Sequence, residues 1–374
     1  MKSEIGYDNF IGGRWVSSAK NLFFKDVNPA DTRDVLGSFR RSTEADVRLA
    51  VRAAKEALPA WSATPAPKRA EVLFRSARIL EEKKEELSRT MTREMGKTLK
   101  ESRGDVQEAI DTAYFFGGEG RRLYGQTTPS ELRNKVCLTL RRPVGVAALI
   151  TPWNFPLAIP SWKVYPALIC GNTAVLKPAE DTPLLSLLFA KILEDAGLPP
   201  GVLNVITGFG SEAGAALSRH AGVSLVSFTG SSEIGARIAE TCGKALRRVS
   251  LELGGKNAQI VMEDADLGLA VDGAVWGSFA TTGQRCTATS RIYVHEKVYA
   301  KFEEAFVAKT KRLQLGSGEE PSTDVGPVIN GAQLRRIDRY VQGAKKAGAR
   351  LLCGGSVDRA ETRRYGFFYP PTVF

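Results

Sequence analysis

The sequence predicts an α/β protein: a doubly wound parallel sheet followed by a second α/β domain. Three observations carry this. Four short apolar runs in the middle of the chain (residues 144–150, 173–178, 203–207 and 225–229) each end in a polar or glycine-bearing loop. Helical patterns lie between and after them, at residues 183–196, 212–220 and 233–242. Strands alternating with helices build a parallel sheet. The pair Gly254-Gly255 then marks a hinge, after which a new strand–helix series starts.

Taken in order, residues 10–16 alternate enough for a strand and turn. A first helix begins near Ser42, where Thr43, Glu44 and Asp46 supply a cap and early acids, and runs to about Trp61. Residues 66–95 read as one long helix, with Val72, Leu73, Ile79, Leu80 and Leu87 at helical spacing, and residues 101–124 as a third. After the four central runs, residues 257–262 read as a strand and Asp264 to Asp266 as the cap of a helix through Val271 to Phe279. Residues 290–295 form a strand and 296–313 a helix. The division is 1–129 with 143–253 as the first domain, 130–142 as a bridging segment, and 254–374 as the second.

Composition narrows the function. Apolar residues at 43% and charged residues at 25% are ordinary globular usage. The net charge of +11 raises the question of nucleic acid, but bases alternate with acids, as in Glu81 to Glu86, and no aromatic platform accompanies Arg121-Arg122 or Arg247-Arg248. A solvated basic surface is the main reading, and attraction of anionic cofactors or substrates the alternative. Five cysteines without C-x-x-C spacing argue against a disulfide scaffold, and two isolated histidines against a metal site. Met1 to Phe10 has no signal-peptide pattern, and no apolar run is long enough to span a bilayer. The expectation is a cytoplasmic protein with no membrane partner.

Several motifs are excluded. There is no G-x-S-x-G elbow. Gly96-Lys97-Thr98 has Met91 where a phosphate loop needs its first glycine, so it reads as a helix end. Gly208, Gly210 and Gly214 follow a strand and open a helix, which suits a dinucleotide or close helix packing equally.

Other residues point toward chemistry. Gly230 to Gly235 sits at a strand-to-helix turn whose free amides suit a phosphate. Lys177 and Glu180 end another strand and suit ribose hydroxyls; an exposed helix cap is the alternative. Cys286, between Arg285 and Thr287 in a polar loop, is placed for a lowered thiol pKa, although a structural cysteine fits too. Glu252, flanked by Leu251 and Leu253, should lose solvation and gain basicity, or form a salt bridge between domains. Asn154, held between Trp153 and Phe155, offers an amide to an oxyanion, or else forms a turn.

Five stretches together resemble the aldehyde dehydrogenase superfamily: Thr151-Pro152-Trp153-Asn154-Phe155-Pro156, Lys177 to Glu180, Phe228 to Ser231, Leu251 to Lys256, and Gly283 to Cys286. The likeness covers essentially the whole chain. It implies an NAD-binding domain and a catalytic domain. Cys286 would attack the aldehyde carbon, Asn154 and the Cys286 N–H would hold the oxyanion, and Glu252 would activate water against the thioester. Thr151, Pro152, Trp153, Lys177, Glu180, Gly210, Phe228, Gly230, Ser231, Ile234 and Leu253 would bind the cofactor. Glu180 would repel a 2′-phosphate, which favours NAD, with NADP the alternative. Phe155, Trp162, Arg285 and Thr287 would line the aldehyde tunnel, with Arg285 pairing a distal carboxylate, as suits a small dicarboxylic semialdehyde; a structural Arg285 is the alternative.

The family carries a further E-[IV]-F-G-P segment and a C-terminal oligomerisation strand, whereas this sequence stops at Phe374. The resemblance therefore implies a truncated member of a homodimeric or homotetrameric family, its catalytic domain incomplete. An acylating, coenzyme A-dependent dehydrogenase and an inactive NAD-binding chain are the competing readings.

Overall fold

The structure, a computed structural model, describes residues 5–18, 20–358 and 360–374. The first four residues of the opening stretch read above lie outside these. A seven-stranded sheet organises the first two-thirds of the chain, in the order Arg248–Glu252, Leu225–Thr229, Val146–Ile150, Thr173–Lys177, Leu203–Val205, Asn9–Ile11, Arg14–Val16. Its first five strands are parallel and the last two antiparallel. From Val146–Ile150 the chain builds outward through two strands on one side, then returns to build through two on the other. The crevice where this direction reverses lies beyond Ile150 and Thr229, the place where such sheets bind ligands.

The doubly wound sheet follows from strands buried on both faces. Val146–Ile150 and Thr173–Lys177 are buried at every position, so their apolar runs are continuous rather than alternating. Ala147, Leu149, Ala174 and Leu176 face one core, with Leu73, Leu80, Ile110, Tyr165 and Phe189. Val146, Ala148, Ile150 and Val175 face the other, with Val47, Val51, Phe228 and Ile238. The helices Ala158–Ile169, Leu184–Asp195 and Ser232–Lys244 are the crossovers.

Beyond Glu252 a two-stranded parallel sheet, Asn257–Val261 with Thr289–Val294, packs with helices Leu267–Phe279 and Glu296–Arg312 around Val261, Ala274, Val275, Phe302 and Phe306.

Three readings change. The long helix expected over 66–95 is two helices, Ala66–Glu82 and Lys84–Met95, meeting at Lys83; the run Glu81 to Glu86 offers no apolar face to keep one axis against the core. The third helix, Leu99–Glu119, stops before Tyr124, in a stretch where Gly117, Gly118 and Gly120 weaken it. Residues 212–220 form a π-turn, Gly210–Gly214, and one short helix, Ala215–Arg219. Strands Phe23–Val27 and Val35–Arg40 and helix Gly331–Lys346 carried no sequence signal that was recognised.

Candidate active site

Three segments meet beside the crevice. The loop after Val146–Ile150 brings Asn154, whose Nδ2 donates to Gln284 O at 2.9 Å. Its Oδ1 is buried without a partner. An amide nitrogen carries two hydrogens, so one remains for a ligand oxygen. Two residues past Gln284 is Cys286, which is exposed. Its carbonyl accepts from Asn257 Nδ2 at 2.5 Å, and a Cβ built on Gly255 would lie 3.4 Å from that same carbonyl. The hinge that follows Glu252 therefore rests on the Cys286 loop. Neither Asn257 nor Gln284 was singled out in the sequence, because an asparagine beside a hinge and a glutamine in a loop resemble ordinary turn residues.

Glu252 ends the edge strand Arg248–Glu252 and is exposed. The burial expected from its leucine neighbours is absent: four of the five residues of this strand, Glu252 among them, are exposed. Gly230 N–H donates to Glu252 O at 3.0 Å, which ties this strand end to the phosphate-type turn. Lys163 is a residue the sequence reading missed. It is the one charge in the helix Ala158–Ile169, which is otherwise nearly all buried, and that isolation was the available signal. Its Nζ donates to Ser227 Oγ at 2.8 Å. Burial pushes its pKa down to about 8, partly offset by the Glu252 carboxylate. Lys163 and Trp162 also line a cavity of about 1400 Å³ with Arg69, Arg141 and Arg142 and no carboxylate.

The cofactor candidates sit around the switch point. Thr151 N–H donates to Lys177 O at 3.2 Å, and the buried Thr151 Oγ1 has no partner. Lys177 Nζ lies 3.2 Å from Glu180 Oε2, its side chain almost wholly buried, and burial lowers its pKa. Ser231 Oγ accepts from Ile234 N–H and so caps helix Ser232–Lys244. A Cβ on Gly230 would lie 2.4 Å from the Phe228 ring, and one on Gly235 2.6 Å from Leu253. Backbone thus stands where a side chain would not fit, and a helix N-terminus opens onto the crevice. A pyrophosphate and an adenosine ribose fit these groups. Pro152 and Trp153 are half-buried beside Thr151, and Ile234 is 41% exposed at the helix start. Gly210 has open space around it, so packing does not demand a glycine there.

The expected substrate residues divide. Phe155 and Trp162 stack with ring centroids 6.5 Å apart, and Thr287 is exposed next to Cys286. Arg285 is a correction. Its Nη2 donates to Trp276 O at 2.8 Å and Gly277 O at 3.2 Å, and the guanidinium lies 4.1 Å over the Trp276 ring. Trp276 O already accepts from Ala280 N–H at the end of helix Leu267–Phe279, and Arg285 adds a second donor there.

A doubly wound sheet whose switch point suits a dinucleotide, beside a loop bearing an exposed cysteine, defines a nicotinamide-dependent oxidoreductase with a thiol at its centre. The chain belongs to the aldehyde dehydrogenase family, whose description, "Aldehyde dehydrogenase family", matches residues 15–374. Alpha-ketoglutaric semialdehyde dehydrogenase of Bacillus subtilis is 41% identical over 98% of this chain and 75% of its own length. Succinate-semialdehyde dehydrogenase [NADP(+)] GabD of Escherichia coli is 39% identical over 97% of this chain and 74% of its own length. PnpE, solved in complex with nicotinamide adenine dinucleotide, superposes with a TM-score of 0.96 at 38% identity, covering 98% of this chain and 75% of PnpE. Betaine aldehyde dehydrogenase of Staphylococcus aureus, solved with NAD+, gives 0.96 at 36% identity, covering 98% of this chain and 73% of its own. The chain spans about three-quarters of these relatives. Among the described residues no helix is long and apolar enough to cross a membrane.

Proposed function

We propose that this chain oxidises the semialdehyde of a small dicarboxylic acid to the diacid, with NAD+ as the preferred acceptor and Cys286 as nucleophile. The observation that carries the reading is the convergence of Asn154 and the Gly255–Asn257 hinge on the loop of an exposed cysteine. Cys286 Sγ, as thiolate, bonds to the aldehyde carbon, and the carbonyl oxygen takes the negative charge. The free N–H of Asn154 and the Cys286 N–H stabilise that oxygen; one such donor is typically worth about 10²–10³ in rate. A bound nicotinamide dinucleotide supplies the hydride acceptor that turns the adduct into a thioester. Glu252 takes a proton from water, whose oxygen displaces the thiolate and releases the acid. Exposure leaves the Glu252 carboxylate free to reach that water, with Lys163 close enough to feel its charge.

Glu180 beside Lys177 supports NAD, since its carboxylate and a 2′-phosphate repel each other. The semialdehyde assignment is supported by the relatives. It does not rest on Arg285, which the loop itself occupies. Residues 1–129 with 143–253 would form the cofactor half and 254–374 the catalytic half, with the exposed hairpin 127–138 available for association between copies.

The test is NADH formation, followed by its near-ultraviolet absorbance, over neutral and carboxylated aldehydes, beside Cys286→Ser. Turnover favouring carboxylated aldehydes and lost in Cys286→Ser is the expected outcome. Turnover that persists in Cys286→Ser would remove the nucleophile assignment, and a preference for neutral aldehydes would remove the substrate class. Product formation only with coenzyme A would replace hydrolysis by acyl transfer.

A further inference from the structure

The loop that presents Cys286 is built on strained backbone. Thr281 and Thr282 have φ of 55° and 56°, and Gly283 follows at 68°. Left-handed backbone is unfavourable for an L-residue, and such strain persists only where the surroundings over-determine it. Three contacts do so here. Thr281 N–H donates to Glu101 Oε1 at 2.6 Å, Thr282 Oγ1 to Gly326 O at 3.1 Å, and Ile329 N–H to Gln284 Oε1 at 3.0 Å. The first is the shortest, and its acceptor is a carboxylate oxygen. It also crosses between the two halves of the molecule.

Glu101 is itself pinned. Its Oε2 accepts from Thr98 N–H and from Thr98 Oγ1, both at 2.9 Å, closing the capping box of helix Leu99–Glu119. One carboxylate therefore caps the helix with one oxygen and holds the cysteine loop with the other. The next turn of the same helix holds the opposite wall of the site. Asp105 Oδ1 accepts from Ala158 N–H at 2.8 Å, at the start of the helix that follows Asn154. Its Oδ2 pairs with Lys97 Nζ at 2.8 Å, both side chains fully buried. Lys97 Nζ lies 4.1 Å over the Phe155 ring. Below, Leu99 N–H donates to Gly318 O, and Gly326 has no room for a Cβ against Gly96 O. The first two turns of this helix thus touch the loop of the nucleophile and the loop of the oxyanion donor together.

We propose that Glu101 is a positioning residue for the nucleophile: it holds Thr281 in left-handed backbone and so sets Cys286 against Asn154. The proposal rests on the reading of Cys286 as nucleophile, and its test separates the two. The variants are Glu101→Ala, which removes the acceptor; Glu101→Gln, whose side-chain oxygen can still accept from Thr281; and Thr98→Ala, which weakens the helix cap but leaves the Thr281 bond. An ångström of misplacement can cost about 10²-fold in rate. Glu101→Ala should therefore lower kcat by about that factor with KM for NAD+ within about twofold. Glu101→Gln should recover most of the loss, and Thr98→Ala should melt earlier with kcat kept.

The second arm needs no turnover. Carboxymethylation of Cys286, located by peptide mass, is timed at one fixed pH of about 10, above the ordinary range of a free thiol. Glu101→Ala should change this rate at least about threefold, with Glu101→Gln and Thr98→Ala close to the starting protein. Equal rates in all variants, or Thr98→Ala losing kcat as Glu101→Ala does, would overturn the positioning role and leave a helix cap. A starting chain that alkylates at Cys286 but turns over no aldehyde would sink the catalytic reading while the alkylation arm still decides the loop.

Discussion

At the scale of single residues, charge placed in apolar surroundings makes the sharpest predictions. Lys163 is held to a pKa of about 8 by burial, against 10.5 ordinarily. Below pH 8 it is charged in both folded and unfolded chain, and the folded chain bears the cost of burying the charge. Between about pH 8 and 10.5 the unfolded chain binds the extra proton, so stability should rise with pH by up to about 3 kcal/mol. Lys163→Met should remove that rise, read as Tm against pH beside the unsubstituted chain. Glu180→Ser should narrow the preference for NAD+ over NADP+, by about tenfold or more in kcat/KM, because it removes a like charge from the ribose site. An unchanged ratio would show that Glu180 does not face the 2′ position.

Elements are held in place by groups that leave no slack. Glu94 Oε1 and Oε2 accept from Leu184 N–H at 2.5 Å and Leu185 N–H at 3.3 Å, so this buried side chain caps the helix Leu184–Asp195 behind Lys177. Burial raises its pKa to about 8, and burial beside Glu94 and Asp181 raises that of Asp26 as well. A raised carboxyl pKa means the folded chain binds more protons between about pH 4.5 and 8, so stability should fall as pH rises through that window. Glu94→Gln should flatten the fall, measured by denaturant unfolding at several pH values. The buried Lys97–Asp105 pair predicts a different pattern. Asp105→Leu alone should cost about 3–5 kcal/mol by stranding the ammonium, while Asp105→Leu with Lys97→Met should cost less than the single change.

For the whole molecule, what stands out is apolar surface. Val136, Leu138 and Leu140 of the hairpin segment are 78%, 55% and 65% exposed, and Ile260, Leu269 and Trp276 of the second half are 70%, 74% and 67% exposed. Patches of this kind mark surfaces that meet protein. Sedimentation should show concentration-dependent self-association, and Val136→Lys with Leu138→Lys should shift it toward the single chain. A monodisperse monomer at high concentration would argue against association through the hairpin.

The alternation of buried runs and helices and the two-sided burial of Val146–Ile150 and Thr173–Lys177 were legible in order along the chain. Each is a local pattern: a strand covered on both faces reads as a near-continuous apolar run. Glu101, Lys163, Gln284 and Asn257 were not legible, because each acts on a partner that only folding brings near, as when Glu101 meets Thr281 across 180 positions. Arg285 shows the same limit from the other side. Its place next to Cys286 suggested a ligand, but its Nη2 donates to Trp276 O and Gly277 O near the end of helix Leu267–Phe279. Glu252 was read as buried from two leucine neighbours, yet exposure depends on whether its strand lies at the centre or the edge of the sheet. Strand order is a property of the fold, since it is settled by which surfaces bury most apolar area together and not by any one segment.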